Sequence, residues 1–230
     1  MKKPIFLIKK LFYTKNKSKI LSINKFDFHR GAMYLFSGSM GSGKTSLLNI
    51  LSKNYTVDDG LVFYENDDIN MVNTSNYKSD VLFLDKTNKR PWFGGSVKNY
   101  MIKQIKSKVQ GDYNKIFKKI CNTMKIPDHI LKSDISAISD GEFRWILLSI
   151  AISIDTKVLI INYLEKYLDS NRRIILNRVL KRKSSYDGVT IIASSYNSEL
   201  FKMSTSVFIK MIMGELHKLD LYLINQSNNV

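Results

Sequence analysis

The chain is short of the residues that build metal and redox centres. In 230 residues it has one cysteine, Cys121, and three histidines, His29, His129 and His217. A lone cysteine excludes an internal disulfide and fits a reducing compartment. Beside Ile120 it reads as core filler rather than a nucleophile. The histidines are too scattered to form a metal cluster and read as surface residues. Long apolar runs are also missing. Nothing approaches the ~20 residues that span a bilayer, and the best candidate, Trp145 to Ile154, is short and contains serines. Met1-Lys2-Lys3 leads into an apolar segment that Lys9-Lys10 breaks at once, which argues against a secretory signal. The expectation is a chain that is soluble or membrane-peripheral, on the cytosolic side or its organellar equivalent. Acidic residues are scarce as well: 20 Asp and Glu face 36 Lys and Arg, a formal charge of +16. Such a surplus suits nucleic acid, an anionic membrane surface or acidic partners. The lysines are spread along the whole chain, however, and frequent Lys, Asn and Ile are also what an AT-rich genome produces. Composition leaves both explanations open.

What is present is a glycine loop. Gly38-Ser39-Met40-Gly41-Ser42-Gly43-Lys44-Thr45 reads G-x-x-x-x-G-K-[ST], with Ser46 following. Tyr34-Leu35-Phe36 before it reads as a buried strand, and Ser46 to Leu51 after it reads as a helix. The residue types suit a phosphate. Glycines let successive backbone N–H groups point inward, and a helix N-terminus adds free amides and partial positive charge. Lys44 brings an ammonium to the β- and γ-phosphates, and the Thr45 hydroxyl can ligand Mg²⁺.

The hydrophobic fraction, 44%, is ordinary for a globular protein, and the length suits one α/β domain. Residues 5–13 suggest an edge strand closed by Tyr13. Ile20 to Ile23 and Phe26 to Phe28 suggest a strand pair, with Phe26 and Phe28 on one face. Leu61 to Tyr64 and Val81 to Leu84 suggest further strands, with a turn at Glu65 to Asp68. The stretch of about 94–140 is polar, lysine-rich and helical in pattern, broken by Pro127, and reads as a small helical subdomain inserted in a single domain of residues 1–230. Ser139 with Glu142 forms a capping-box pattern opening a helix to about Ile154. Val158 to Ile161 reads as a buried strand, Ser170 to Lys183 as a basic helix, and Val189 to Ala193 as another strand. Ser206 to Lys210 and Glu215 to Lys218 read as a last strand pair. The tail from Asn225 to Val230 is polar and reads as frayed.

Taken together, the order of pieces resembles the nucleotide-binding domain of ABC (ATP-binding cassette) proteins, from about Ile8 to Leu219. The resemblance implies an α/β P-loop NTPase core with an antiparallel β subdomain and a small helical subdomain. It implies ATP at Gly38 to Ser46 and Mg²⁺ on Thr45. Tyr13 lies where the family places an adenine-stacking ring; a half-buried strand tyrosine is the other reading. Phe93-Gly94-Gly95-Ser96-Val97 looks like the lead into the helical subdomain. Ile138-Ser139-Asp140-Gly141-Glu142 sits where the family has its L-S-G-G-Q signature, whose serine and glycine amides contact the γ-phosphate held by an opposite subunit. Ser139 and Gly141 match, Asp140 and Glu142 do not, and Arg144 matches the basic residue just downstream. Read without the family, the same stretch is an ordinary capping box.

The departures fall on the catalytic parts. The strand Val158 to Ile161 ends in Asn162-Tyr163, where the family has Asp, for Mg²⁺, then Glu, for the attacking water. Asn is neutral, and Tyr, with an ordinary pKa near 10, is a poor base at neutral pH. Glu165 is two residues too late to be the same carboxylate, while Leu168-Asp169 matches the next family motif and fixes the register. The glutamine expected after Leu84 is absent from Asp85-Lys86-Thr87-Asn88. The histidine expected after Ala193 is replaced by Ser194-Ser195-Tyr196. The resemblance thus implies a subunit that binds ATP, with Mg²⁺ weakly held, but hydrolyses it poorly. It pairs with a second cassette subunit, as a homodimer or, by preference, a heterodimer, and docks on a membrane permease near Asp85 to Gly95. Two alternatives stay open. One is an active ATPase using Glu165 or Asp155. The other is a scaffold or nucleic-acid-associated module using Arg172-Arg173 and Lys181-Arg182-Lys183, although those residues also suit the solvated face of a helix.

Overall fold

The computed structural model describes residues 3–85, 90–91, 95–109 and 111–219. The expectations for Lys86, Thr87, Asn88, Phe93, Gly94 and the tail from Asn225 lie outside these residues. The strands, in chain order, are β1 (Phe6–Lys15), β2 (Ser18–Phe28), β3 (Met33–Ser37), β4 (Val62–Tyr64), β5 (Asp67–Asp68), β6 (Val81–Leu84), β7 (Val158–Ile161), β8 (Thr190–Ser194), β9 (Val207–Ile212) and β10 (Glu215–Leu219). The helices are α1 (Lys44–Leu51), α2 (Thr74–Asp80), α3 (Val97–Lys106), α4 (Tyr113–Thr123), α5 (Asp128–Lys132), α6 (Asp140–Ser153) and α7 (Ser170–Ser185).

A four-stranded antiparallel sheet has the order β2-β1-β4-β5. Its first hairpin turns at Asn16-Lys17, both at positive φ (51° and 62°), the twist that two-residue hairpins favour. Several readings of the sequence are corrected here. β1 is interior rather than an edge, because Phe6 to Ile8 also pair with Tyr64 to Val62. Residues 20–28 belong to one continuous strand, within which Asn24 and Lys25 are both exposed, rather than to two. The turn at Glu65-Asn66 is followed by β5, whose Asp67 and Asp68 pair back onto β4. Helix α2 was not foreseen, because its surface is polar and only Tyr77 is buried; the Tyr77 hydroxyl donates to the Leu51 carbonyl.

The second sheet has the order β10-β9-β3-β8-β7-β6, parallel from β9 to β6 and closed at one edge by the antiparallel β10. Parallel strands covered on both faces read as continuous apolar runs, and all four residues of β7 are fully buried. Alternation sends Val158 and Ile160 into the core shared with the antiparallel sheet and α1, and Leu159 and Ile161 into the core shared with α6 and α7. Each such side chain contributes roughly 1.5–3 kcal/mol. An aromatic nest of Phe6, Phe26, Phe28, Tyr34 and Phe36, with ring centroids 4.8–6.4 Å apart, clamps the antiparallel sheet onto β3. Helices α3, α4 and α5 pack through Met101, Ile105, Phe117, Ile120 and Ile130 into the core that holds α6.

This layout gathers the chemistry. The C-terminal ends of parallel strands all open on one edge of the sheet, where α/β folds place their ligands. Gly38 follows β3, Asp85 follows β6, Asn162 follows β7, and Ser194 ends β8. Asp155 precedes β7 and lines a groove with Arg30, Asp80 and Lys157 at the opposite edge, so it is no substitute carboxylate for the loop. Among the described residues no helix is long and apolar enough to cross a membrane.

Candidate nucleotide-binding site

The glycine loop curls between β3 and α1 with Gly38, Gly41 and Gly43 at φ 146°, 80° and 100°. A Cβ on Gly38 would overlap the Met211 carbonyl oxygen, and one on Gly43 would lie 2.8 Å from the Ile20 carbonyl oxygen. Helix α1 starts at Lys44 with Gly43 as N-cap and no side-chain cap, so its first amides face the loop interior. Lys44 is 6% exposed. Its ammonium donates to the carbonyls of Gly38 (2.7 Å) and Ser39 (2.9 Å) and to Ser42 Oγ (3.0 Å). Burial pulls its pKa below the usual lysine range, a shift opposed by nearby Tyr163 and Glu165. Met40, at the tip, is 85% exposed.

Met40, Gly41, Ser42, Gly43, Lys44, Thr45 and Ser46 line a cavity of about 170 Å³ with Ile20, Tyr163 and Tyr196. That is below the 300–1,000 Å³ of typical ligand pockets, and the cavity is open to solvent. Tyr13 is not in the lining. Its ring stacks on Tyr55 at 6.2 Å, and Ile20, from the facing strand of the same hairpin, reaches the loop instead.

The strand tips form one hydrogen-bonded network. The Asn162 amide nitrogen donates to Asp85 Oδ1 (2.8 Å) and, at 3.4 Å, to Thr45 Oγ1. Asn162 Oδ1 accepts from the Ser194 hydroxyl (2.6 Å), and Ser194 Oγ accepts from the Tyr163 N–H (2.9 Å). Tyr163, at φ 55°, brings its hydroxyl 3.2 Å from Thr45 Oγ1. Its ring lies 5.3 Å from that of Tyr196, and Lys44 Nζ stands 5.7 Å over the Tyr196 ring. Burial, then the hydrogen bond with Tyr163 and the nearby Glu165, push the Tyr196 phenol up to about 12. Glu165 Oε1 accepts the Tyr196 N–H (2.6 Å), while its buried Oε2 has no hydrogen-bond partner among the described residues.

Arg144 is the residue whose place the sequence left unexplained. It is 4% exposed, and its guanidinium donates to the carbonyls of Asp85 (2.9 Å), Asn162 (2.9 Å) and Tyr163 (3.3 Å). Burial lowers its pKa to about 10, against the pull of Asp85 and Glu165.

The segment at α6 is built as a complete capping box. The Glu142 N–H donates to Ser139 Oγ (3.2 Å), and Glu142 Oε2 accepts from both the N–H (2.8 Å) and the hydroxyl (2.7 Å) of Ser139. Asp140 pairs with Arg90 at 2.7 Å. A Cβ on Gly141 would lie 3.1 Å from the Tyr167 carbonyl oxygen. Ser139 and Gly141 are thus held together, but neither lines the cavity at the glycine loop. The basic residues of α7 are partly engaged within the fold: Arg172 pairs with Asp169 and lies over Trp145, and buried Lys183 donates to the Ile154 carbonyl at 3.0 Å. Among the described residues no group of three or more His, Cys, Asp or Glu is placed to hold a metal.

Comparison with known proteins agrees with this geometry. The sequence profile of the ABC transporter family matches residues 21–162. The probable iron export ATP-binding protein FetA of Escherichia coli (strain K12) is 22% identical over 85% of this chain and 86% of its own. The energy-coupling factor transporter ATP-binding protein EcfA1 of Staphylococcus aureus (strain USA300) is 23% identical over 90% and 77%. The yeast translation initiation factor RLI1 (Saccharomyces cerevisiae, strain ATCC 204508 / S288c) is 24% identical over 85% of this chain, which spans only 29% of it. Among solved structures, cbiO1 from Clostridium perfringens, part of the transporter complex cbiONQ, superposes with a TM-score of 0.81 at 16% identity, covering 99% of this chain and 92% of that one. The ATP-binding cassette MJ0796 bound to ADP and Pi gives 0.79 at 16%, covering 94% and 98%. At these identities the structures speak for the fold. With the family profile spanning well over half of the sequence, the chain belongs to the ABC transporter family.

Proposed function

We propose that this chain is the ATP-binding subunit of a transporter complex and that its own site binds ATP but cleaves it poorly. The observation that carries the reading is the pair at the tip of β7. Asn162 turns amide hydrogens, not a carboxylate, toward Thr45, and the Tyr163 hydroxyl stands 3.2 Å from the same Thr45 oxygen. A neutral phenol there is a weak base at neutral pH, and an amide N–H repels a cation. Gly38 to Ser46 would hold the phosphates, with Lys44 released from its loop carbonyls to meet them. Thr45 would hold Mg²⁺, weakly for want of a carboxylate on residue 162. Mg²⁺, when bound, neutralises phosphate charge.

The small cavity favours a nucleotide shared between two subunits. Ser139 and Gly141, away from this chain's own loop, would then serve a partner's nucleotide, with Asp140 turned onto Arg90 and Glu142 turned back onto Ser139. A chain lacking a base gains most from an unlike partner that has one, so a heterodimer on a membrane permease is favoured. The names of FetA and EcfA1 and the cbiONQ complex support a transport setting. The internal engagement of Arg172 and Lys183 disfavours nucleic acid.

The test is direct. The purified chain should bind a fluorescent ATP analogue while turning over ATP far below about 1 s⁻¹, the low end of ordinary enzymes; turnover at or above that rate sinks the reading. Mild-detergent purification should bring down a permease and a second cassette chain. A second reading, an active site served by Glu165, is favoured by one observation, the buried Oε2 without a hydrogen-bond partner among the described residues. It requires measurable turnover in the isolated chain that Glu165→Gln removes.

A further inference from the structure

We propose that Tyr163 and Tyr196 form a wall where a nucleotide's third phosphate would lie, so that the glycine loop prefers a nucleoside diphosphate to a triphosphate. The inference rests on the reading that this loop binds a nucleotide, and it names which one is favoured. In a loop of this kind the backbone amides cradle the inner phosphates, while the lysine and the neighbouring hydroxyl reach the outermost one and its Mg²⁺. The space outside Lys44 and Thr45 therefore decides how many phosphates fit.

Two phenols hold that space. The Tyr163 hydroxyl lies 3.2 Å from Thr45 Oγ1, a hydrogen-bonding separation with no room for another atom between the two. The Tyr196 ring centroid lies 5.7 Å from Lys44 Nζ. A single N–H···O contact would use about 2.8 Å of that gap, pressing the oxygen onto the ring and leaving no space on that side for the rest of a phosphate. The two rings are 5.3 Å apart and their side chains share a hydrogen bond, so they stand as one unit.

The backbone aims the unit. Tyr163 has φ 55°, a left-handed conformation that costs a side-chain-bearing residue roughly 1–2 kcal/mol. It is held there by its N–H on Ser194 Oγ (2.9 Å) and by Arg144 on its carbonyl (3.3 Å). Strain that the surroundings hold in place is a mark of a positioned residue. Tyr196 is fixed in turn by its N–H, which donates to Glu165 Oε1 (2.6 Å).

Charge works in the same direction. Among the described residues Lys44 is the one cation lining the cavity. Its three hydrogens are engaged with Gly38, Ser39 and Ser42, and Arg144 is turned onto backbone carbonyls. A third phosphate brings more negative charge. Here it would meet the electron-rich face of the Tyr196 ring, with the Glu165 carboxylate close by. A diphosphate needs only the loop amides and Lys44. A triphosphate enters by swinging the pair outward, which the 52% exposure of Tyr196 permits.

The test is a competition titration on the full chain in Mg²⁺, with ADP and a non-hydrolysable ATP analogue each displacing a fluorescent ADP analogue. The wild type should bind ADP about tenfold or more tightly than the triphosphate, equivalent to 1.4 kcal/mol. Tyr163→Gly/Tyr196→Ala should bring the ratio to about one by tightening the triphosphate, the glycine keeping the left-handed backbone at 163. Tyr196→Phe should keep the preference, because the ring stays. Triphosphate binding in the wild type as tight as ADP or tighter, or a preference unchanged in the double variant, overturns the proposal. No binding of either nucleotide overturns the reading beneath it. If the double variant does not fold, Tyr196→Ala, at an exposed position, decides alone: its ratio should fall about threefold or more, and an unchanged ratio overturns the proposal.

Discussion

The glycine loop and the tips of β6, β7 and β8 share one edge of the same sheet, but different constraints fix their residues. In the loop, Gly38 and Gly43 are fixed by packing: β9 and the β1–β2 hairpin press on them so closely that a methyl group has no room. At the tips the backbone is set by strand pairing and Arg144, and the side chains are joined by polar contacts that other residues could also make. The presence of Gly38 and Gly43 therefore says less about phosphate than the motif suggests. Gly41, with nothing within 4 Å of a Cβ among the described residues, and the Lys44–Thr45 pair say more about phosphate, because the fold alone asks less of them.

This contrast can be broken first at the loop. Gly38→Ala combines a steric clash with a left-handed backbone and should cost at least about 3 kcal/mol, whereas Gly41→Ala should cost only about 1 kcal/mol of backbone strain. Urea denaturation of both variants measures the difference, and equal losses would undo the distinction between packing glycines and phosphate glycines. Next comes Lys44→Ala, which should weaken nucleotide binding on the order of 100-fold if the ammonium contributes a charge-assisted interaction of about 3 kcal/mol. Titration with a fluorescent analogue reads this out.

At the tips, Asn162→Asp should lower stability at neutral pH by about 1–2 kcal/mol in the absence of divalent cations. The sign follows from linkage. Crowding raises one carboxylate's folded pKa above its unfolded value near 4. The variant's penalty is therefore small at low pH and grows as the pH rises through the raised value. Melting curves from pH 4 to 8 should diverge from the wild type with rising pH, and Asp85→Asn in the same chain should close the gap. Tyr163→Glu by itself should not create an ATPase, because the amide of Asn162 would still face Thr45; the combination with Asp85→Asn and Asn162→Asp is the one expected to gain turnover.

The smallest effect belongs to the capping box. The hydrogen bonds from Ser139 hold Glu142 below the ordinary glutamate range. Its contribution is complete above the unfolded value near 4.5 and is lost as the pH falls through the lowered folded value. Solvent screening keeps it below about 1 kcal/mol. Glu142→Gln should flatten the acid side of the stability profile, as thermal melts between pH 3 and 6 would show.

Much of the fold was legible because its signals are local. Four-residue apolar runs at 81–84 and 158–161 read as buried strands, and Ser139 with Glu142 marked the start of α6. The glycine loop was legible for the same reason. What escaped depends on contacts distant in sequence. Lys9, Lys10 and Asn24 made β1 and β2 read as an edge strand and a broken pair, since only the sheet shows which face each lysine takes. Asp85 read as a missing glutamine, not as a partner of Asn162, because the two meet only through the pairing of β6 with β7. Arg144 read only as a match to the family's basic residue downstream of Ser139 and Gly141, and the structure buries it beneath the strand tips.

Arg144 has a mechanical consequence. It stands at the start of the second turn of α6, one turn beyond Ser139 and Gly141, and its guanidinium fastens on the backbone of Asp85, Asn162 and Tyr163. The helix and the two strand tips are thereby bolted together through a rigid, charged plate, with no loop between them to absorb slack. A displacement of the start of α6 is therefore expected to reach the residues facing Thr45 through that one side chain, and Arg144→Ala should uncouple them.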